Sequence, residues 1–316
     1  DRALEVLLFQ YGRYLTIASS REGDLPSNLQ GVWQNRVGDH NRVPWGSDYH
    51  MNVNLQMNYW PTYSTNMAEC AVPIVDYVYS LMEPGKITAK TYFGVENGGF
   101  TAHTQNTPFG WTCPGWSFSW GWSPAALPWI LQNCWEYYEY TGDVEFMREN
   151  IYPMLKESAL LYDQIMIEDP KTGRLVSAPA YSPEHGPITA GNTYEQSLIW
   201  QLYEDASIAA GILGVDEDLV ANWRERQARL MPIEIGDSGQ IKEWYTETTL
   251  GSLGASGHRH MSHLLGLFPG DLISVDNSEY MEAAIVSLRE RGDKSTGWGM
   301  GQRINSWART GDGNQA

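Results

Sequence analysis

The sequence predicts an all-α protein in which helices form antiparallel pairs, as in an α/α toroid. Apolar residues recur at helical spacing in segment after segment, and few stretches alternate as strands do. Long loops rich in Trp, His, Asn and Glu separate alternate helices. Loops carry chemistry when a rigid scaffold positions them, so we expect a functional site at one face of the toroid. An irregular helical bundle is the alternative.

The helices follow one another along the whole chain. They are predicted over residues 3–19, 54–81, 124–140, 143–167, 193–213, 216–230, 260–267, 278–291 and 298–310. Leu4, Leu8 and Tyr11 illustrate the helical spacing in the first of them. Pro61 and Pro73 are expected to interrupt the second.

Capping signals place several of the helix ends. Ser123 followed by Pro124 is typical of an N-cap and a first helical turn. Gly142 ends that helix, and Asp143 is the expected N-cap of the next one. Residues 169–177 indicate a turn with a short strand.

The composition favours a protein that acts on a neutral ligand. The 316 residues carry a net charge of -17, which argues against nucleic acid and anionic membranes as partners. The chain has 14 Trp and 18 Tyr but only 7 Phe, a balance that favours clefts with stacking surfaces. No linker divides the chain, so a single domain over residues 1–316 is predicted.

The cysteines and the chain ends bear on disulfide bonds, membrane insertion and cellular location. Cys70, Cys113 and Cys134 are too few and too irregular for a disulfide framework or a metal site, so free thiols are expected. No apolar run reaches about 18 residues, and a membrane-spanning helix is not expected. The chain starts without Met, so we interpret it as part of a longer polypeptide. A secreted, cell-surface or cytoplasmic location and any oligomeric state stay open.

Residues 44–60, PWGSDYHMNVNLQMNYW, combine Asp48, His50, three Asn, a Gln and aromatic rings with little aliphatic bulk. Amides, carboxylates and imidazoles bind hydroxyls, and aromatic rings stack on CH faces, so the mixture suits a sugar. Asn52 and Asn54 alternate, and in an extended segment they would point the same way. A buried polar turn is the alternative.

Three further loops concentrate functional residues. Residues 111–122 hold four Trp, as either a sugar-stacking wall or an aromatic plug. Residues 182–186, SPEHG, place Glu184 in a rigid loop that suits a general acid, while a helix cap is the alternative. Glu195 at a helix start is better explained by the helix dipole.

The third loop, residues 257–263, holds His258, Arg259, His260 and a further His. Zinc is disfavoured, because two of the His would lie on different helical faces and no HExxH motif is present. Arg259 and His260 fit donors to ligand hydroxyls better. Asp293 and Asp312 add carboxylates beside Gly, where a turn role is the default.

Motifs for serine nucleophiles, phosphate loops and dinucleotides are absent, so no cofactor is expected. What remains is carboxylate and amide chemistry among aromatic and His residues. Glycoside hydrolysis fits, because it needs a carboxylic acid for the leaving oxygen and a second group to activate water or attack.

Five blocks in order resemble glycoside hydrolase family 95, the α-L-fucosidases. They are WGSDYHMNVNLQMNYW, GWSFSWGWSPAA, SPEHG, HRHMSHLLGLFPG and TGWGMGQRINSWARTGDGN. The resemblance implies an (α/α)6 catalytic barrel that removes terminal α-1,2-linked L-fucose from glycans with inversion. It also implies a fucosylated oligosaccharide as substrate, no metal and no cofactor, and a glycan-foraging bacterium as a plausible source.

The resemblance also implies roles for individual residues. Glu184 would be the general acid, with Asn52 and Asn54 holding the water. Asn54 would act as base, activated by Asp312 rather than Asp293. Three residues would bind the fucose hydroxyls: His50, Arg259 and His260. One of three Trp would line the sugar pocket: Trp116, Trp120 or Trp122.

Two departures from the family pattern qualify the resemblance. Residues 102–107, AHTQNT, stand where many members carry His-His-Asn-Thr-Asp, so contacts there are expected to differ. The Phe-Gln-Ile-Asp-Gly-Asn block is absent, so the last helical hairpin is expected to be missing and the barrel truncated. An α-L-galactosidase and a catalytically inactive sugar-binding barrel are the competing functions.

Overall fold

A computed structural model describes residues 1–33, 44–115, 117–247 and 257–316. Within it the chain forms two compact units, residues 1–161 and residues 162–316. In the described residues, no helix is long and apolar enough to cross a membrane. The predicted single domain over residues 1–316 remains a prediction.

The first unit is helical, with one short antiparallel ladder. Its elements are α1 (Arg2–Ser19), β1 (Tyr49–His50), α2 (Asn54–Ser64), α3 (Val72–Ser80), α4 (Met82–Phe93), β2 (Gln105–Asn106), α5 (Phe118–Gly121), α6 (Ala126–Thr141) and α7 (Val144–Phe146). A π-helix, Met147–Ile151, leads into α8 (Tyr152–Ile165), which crosses the boundary between the units. β1 pairs with β2, and α2 packs on α6.

The second unit is also mostly helical. Its elements are β3 (Ile167–Glu168), β4 (Leu175–Val176), α9 (Thr193–Leu213), α10 (Glu217–Arg229), α11 (Ser278–Arg291) and α12 (Gly297–Arg309), with a short 3-10 helix at Ser262–Leu264. β3 and β4 form an antiparallel hairpin. α9 packs on α10 and α11 packs on α12.

Several predicted helices match the structure closely. The predictions for residues 193–213 and 278–291 match α9 and α11 residue for residue. Asp143 caps α7 as predicted, because its Oδ1 accepts the Phe146 N–H at 2.9 Å. Pro73 lies in the first turn of α3, where its missing N–H needs no partner.

Four helix predictions need correction. Pro61 does not interrupt the second predicted helix, because it lies inside α2, which continues to Ser64. Residues 260–267 form only the short 3-10 helix, not an α-helix. The helix after Ser123 begins later, at Ala126, and has no side-chain cap. The helix predicted over residues 143–167 is divided by the π-helix.

Helix α4 was not predicted at all. Pro84 and Gly85 make its sequence a poor helix on propensity alone. Gly85 is required by packing, because a Cβ there would lie 2.7 Å from the Thr101 carbonyl oxygen. Tertiary contact therefore outweighs propensity in this helix.

Each unit buries apolar side chains that hold its loops in place. In the second unit, one core cluster joins α11 and α12 to the chain around the 3-10 helix, through residues that include Met261, Leu264, Leu288 and Trp307. In the first unit, Met51 and Leu55 at the start of α2 are completely buried. The three cysteines are free thiols, as predicted.

Candidate active site

In the first unit, the short ladder positions the stretch with His50. Tyr49 pairs with Asn106 and His50 with Gln105. The strand ends at His50, and a turn leads into α2 at Asn54. The expectation that Asn52 and Asn54 alternate along an extended segment is therefore wrong, because a turn lies between them.

His50 is oriented by Asp48. Its Nδ1 lies 3.0 Å and 3.2 Å from the two carboxylate oxygens of Asp48, and both side chains are largely buried. A carboxylate can only accept, so Nδ1 carries the proton and donates. This contact fixes the ring and its tautomer. Asn52 is buried and Asn54 is half-buried at the start of α2.

The three candidate Trp residues have different positions. Trp116 lies outside the described residues. Trp120 is 52% exposed, whereas Trp122 stacks on Phe118 with ring centroids 5.3 Å apart. Trp122 also lies 5.2 Å from the ring of His103, whose pKa burial lowers to about 4. Trp120 is thus the exposed stacking surface, and Trp122 belongs to a packed aromatic cluster with a neutral His.

In the second unit, Glu184 lies in a closed loop, residues 178–191, here called the Glu184 loop. Reciprocal backbone bonds between Ala180 and Thr189, at 2.8 and 3.0 Å, close it. Gly186 has a φ of 82°, and a Cβ there would lie 2.1 Å from the Trp244 ring. The close approach of the loop to Trp244 therefore requires a glycine at position 186.

Residues 257–263, here called the histidine loop, bring cationic and neutral donors to Glu184. Nη2 of Arg259 donates to Oε2 of Glu184, and Nε2 of His260 lies 3.6 Å from the same oxygen. Ser262 Oγ donates to the Pro183 carbonyl at 3.2 Å and ties the two loops together. Of the predicted site residues, the structure brings Glu184, Arg259 and His260 into contact range.

Three imidazoles form a stacked column beside Glu184. His185 and His258 have ring centroids 3.9 Å apart, and His258 and His260 5.4 Å. Trp298 lies 4.6 Å beyond His260. Burial lowers the pKa of His258 to about 3 and lowers that of His260, so both rings are neutral at neutral pH. Neutral rings can stack closely without charge repulsion.

The histidines do not form a metal site in the described residues, where no group of three potential ligands is found. The predicted placement of His258 and His260 on different helical faces is wrong, since residues 257–261 are not helical. The stacked geometry of the rings is what sequence reasoning missed, because loop residues carry no periodicity from which to infer it.

The alternative carboxylates differ sharply in exposure. Glu195 lies in the first turn of α9 as predicted and is completely buried. Burial raises the pKa of Glu195 to about 7 against opposing hydrogen bonds. The side chain of Glu184 is 9% exposed. Asp312 and Asp293 are exposed, and Gln315 bonds to both through its N–H and its Nε2.

Comparison with known proteins places the chain in a family. The model of the glycosyl hydrolase family 95 catalytic domain matches residues 1–316. The chain belongs to glycosyl hydrolase family 95. It is 35% identical over 321 residues to "Alpha-L-fucosidase 2" of Arabidopsis thaliana, with 98% of this chain and 37% of that protein covered.

A second curated relative also carries the name of an α-fucosidase. The chain is 36% identical over 324 residues to "Probable alpha-fucosidase A" of Aspergillus niger, with 98% of this chain and 40% of that protein covered. This family 95 chain thus spans about two fifths of the length of these curated relatives.

A solved structure supports the fold class. A putative kojibiose phosphorylase from the human microbiome matches with a TM-score of 0.63 at 10% identity, covering 94% of this chain and 44% of that one. At this identity the likeness shows the fold alone. Together with the family match and the mostly helical structure, it confirms the predicted all-α, (α/α)6 class.

Proposed function

We propose that this chain is the catalytic part of an inverting α-L-fucosidase that removes terminal α-1,2-linked L-fucose from oligosaccharides. The observation that carries the proposal is the cluster of Glu184, Arg259 and His260. Its largely buried carboxyl accepts from Arg259 and lies 3.6 Å from Nε2 of His260. Two relatives named as α-fucosidases, aligned over almost the whole chain, support the choice of sugar.

In the proposed reaction, Glu184 protonates the glycosidic oxygen as the bond to the anomeric carbon breaks. Water attacks that carbon from the opposite face, held by Asn52 and Asn54. The water gives its proton to the Asn54 carboxamide, which Asp312 makes basic by accepting its N–H. The product is the sugar of inverted configuration, so the geometry must leave room for a water, with about 6.5–9.5 Å between the two catalytic groups.

Substrate binding has to change the surroundings of Glu184. A general acid must carry a proton, whereas contact with a guanidinium favours an ionised carboxylate. We therefore expect fucose hydroxyls to take over the donors of Arg259. His50, fixed by Asp48, and His260, neutral and buried, supply further hydrogen bonds, and Trp120 offers its exposed ring to the CH face of the sugar.

The test is to mix the protein with 2′-fucosyllactose and follow the anomeric protons by NMR. Early β-L-fucose is the expected result, whereas early α-L-fucose would overturn inversion. The Glu184→Gln variant should lose about two or more orders of magnitude in turnover while still binding the sugar. Glu290→Gln, which changes an exposed carboxylate on α11 to a carboxamide, is the matched control and should keep full turnover.

Release of L-galactose from the matching galactoside in preference to fucose would instead assign the α-L-galactosidase. Sugar binding without release of either sugar would assign an inactive sugar-binding barrel. Both measurements use the unmodified protein, and the Glu290→Gln variant is measured in parallel as the control.

A further inference from the structure

A buried carboxylate, Glu243, joins both loops around Glu184. Its Oε1 accepts the Ser182 hydroxyl at 2.6 Å, and its Oε2 lies 3.5 Å from His185 Nε2. Ser182 and His185 are neighbours of Glu184 in the chain. Glu243 is 2% exposed, so these contacts are made away from water. The carboxylate thus holds the Glu184 loop on both sides of Glu184.

Arg291, the last residue of α11, holds the histidine loop in the same way. Its Nη2 donates to Oε2 of Glu243 at 2.7 Å. Its Nη1 donates to the carbonyl oxygens of His258 at 3.1 Å and His260 at 2.9 Å. These two carbonyls lie on either side of Arg259. One ion pair therefore connects the chain neighbours of Glu184 with those of Arg259.

Glu243 remains ionised in the folded protein. Burial alone would raise the pKa of Glu243, but the nearby His185 ring and the charge of Arg291 lower it to about 2. Buried ion pairs are poor sources of stability, because apolar residues of the same volume often serve the fold as well or better. The placement of this pair between two functional loops indicates a different role.

We propose that Glu243 and Arg291 are positioning residues, which set the placement of Glu184 relative to Arg259 and His260. This inference rests on the proposed function, in which Glu184 is the acid. Its consequence is large, since a displacement near 1 Å at a reacting group can lower the rate about 100-fold. Neither residue has to contact substrate for this effect.

The decisive variant replaces both partners with apolar residues, Glu243→Leu with Arg291→Met. Removing both charges avoids an unpaired buried ion, but the carbonyls of His258 and His260 and the hydroxyl of Ser182 lose a partner. The fold should therefore persist with a lower melting temperature. We expect kcat to fall about 100-fold with KM within about threefold. Ser182→Ala, which removes one hydrogen bond and leaves the ion pair, should lower kcat about tenfold and serves if the double variant does not fold.

The matched control is the ion pair of Asp163 and Arg226 in the same unit, in which Oδ1 of Asp163 lies 3.1 Å from Nε of Arg226. In the described residues, neither side chain is hydrogen-bonded to the Glu184 loop or to the histidine loop. Asp163→Leu with Arg226→Met should leave kcat unchanged. Equal losses of kcat in both double variants, or full kcat in both the Glu243 and the Ser182 variants, would overturn the proposal.

A second readout does not depend on the reaction. The side-chain Nε–Hε resonance of Arg259 should shift in the Glu243→Leu, Arg291→Met variant and stay in place in the control. A shift in a protein that releases no fucose would support the positioning role and reject the proposed function. An unmoved resonance together with unchanged kcat would reject the positioning role and leave the fucosidase proposal standing.

Discussion

The backbone N–H of Tyr181 donates to Oε1 of Glu195 at 3.1 Å, so a completely buried carboxyl supports the loop that carries Glu184 three residues later. Asn192 caps α9 by accepting the Glu195 N–H at 2.8 Å, which fixes the backbone of Glu195 in turn. This arrangement distinguishes the two candidate acids, since Glu195 is completely buried while 9% of the Glu184 side chain is exposed.

Replacing Glu195 by Gln tests that separation. The amide oxygen can still accept the Tyr181 N–H, so we expect kcat within about threefold of the wild type, against a loss of about 100-fold for Glu184→Gln. Steady-state kinetics on 2′-fucosyllactose measure both. The reverse order of the two losses would move the acid to Glu195.

The same variant makes a prediction about stability. The pKa of Glu195 is raised to about 7 from 4.5, so its contribution is fully present below pH 4.5 and is lost as pH rises through 7. Glu195→Gln should therefore gain up to about 3 kcal/mol in free energy of unfolding over the wild type at pH 8 and nothing near pH 4.5. Denaturant titrations at both pH values measure it, and an equal difference at both would contradict the assignment.

Much of the fold was predictable because helix signals are local. Apolar spacing placed α9 and α11, and the Asp143 carboxylate placed the start of α7. α4 was missed because Gly85 lowers helix propensity while packing against Phe100 and Thr101, residues distant in the sequence. Information of that kind lies in the tertiary structure, not in the segment itself.

Arg259 is predicted to bind the sugar in addition to contacting Glu184. Arg259→Met should raise KM about tenfold or more, because the lost donors would leave fucose hydroxyls without partners. Arg259→Lys keeps the charge but loses the planar guanidinium, so its KM should lie between those of the wild type and Arg259→Met. KM and the dissociation constant of free L-fucose measure the effect, and unchanged values with reduced kcat would confine Arg259 to holding Glu184.

Asp48 is predicted to act through His50. Asp48→Asn keeps the size of the side chain but can offer an N–H to Nδ1, which allows the other tautomer of the ring. We expect KM for the fucoside to rise several-fold with a nearly unchanged melting temperature. The exposed Asp276→Asn is the control. A variant with wild-type KM would show that the tautomer of His50 does not matter for binding.

Part of the candidate site could be expected from motifs, whereas its geometry could not. Glu184, Arg259 and His260 came from motifs, and the structure brings them into contact range. Glu243 and Arg291 gave no signal, because an Arg in the last turn of a helix resembles an exposed dipole partner. Their burial and shared contacts appear only when α11 packs beneath the histidine loop.

Acid should destabilise the protein through histidines that are buried in the neutral form. His263 is 1% exposed, and burial with the charge of Arg291 lowers its pKa to about 3 from 6.5. Its folded pKa is depressed, so the unfolded chain binds the proton first and stability falls as pH drops from 6.5 toward 3. At pH 5 this group should reduce the free energy of unfolding by about 2 kcal/mol relative to pH 8. His263→Gln should flatten that part of the stability profile. Parallel profiles of wild type and His263→Gln between pH 5 and 8 would show that His263 is not the group responsible.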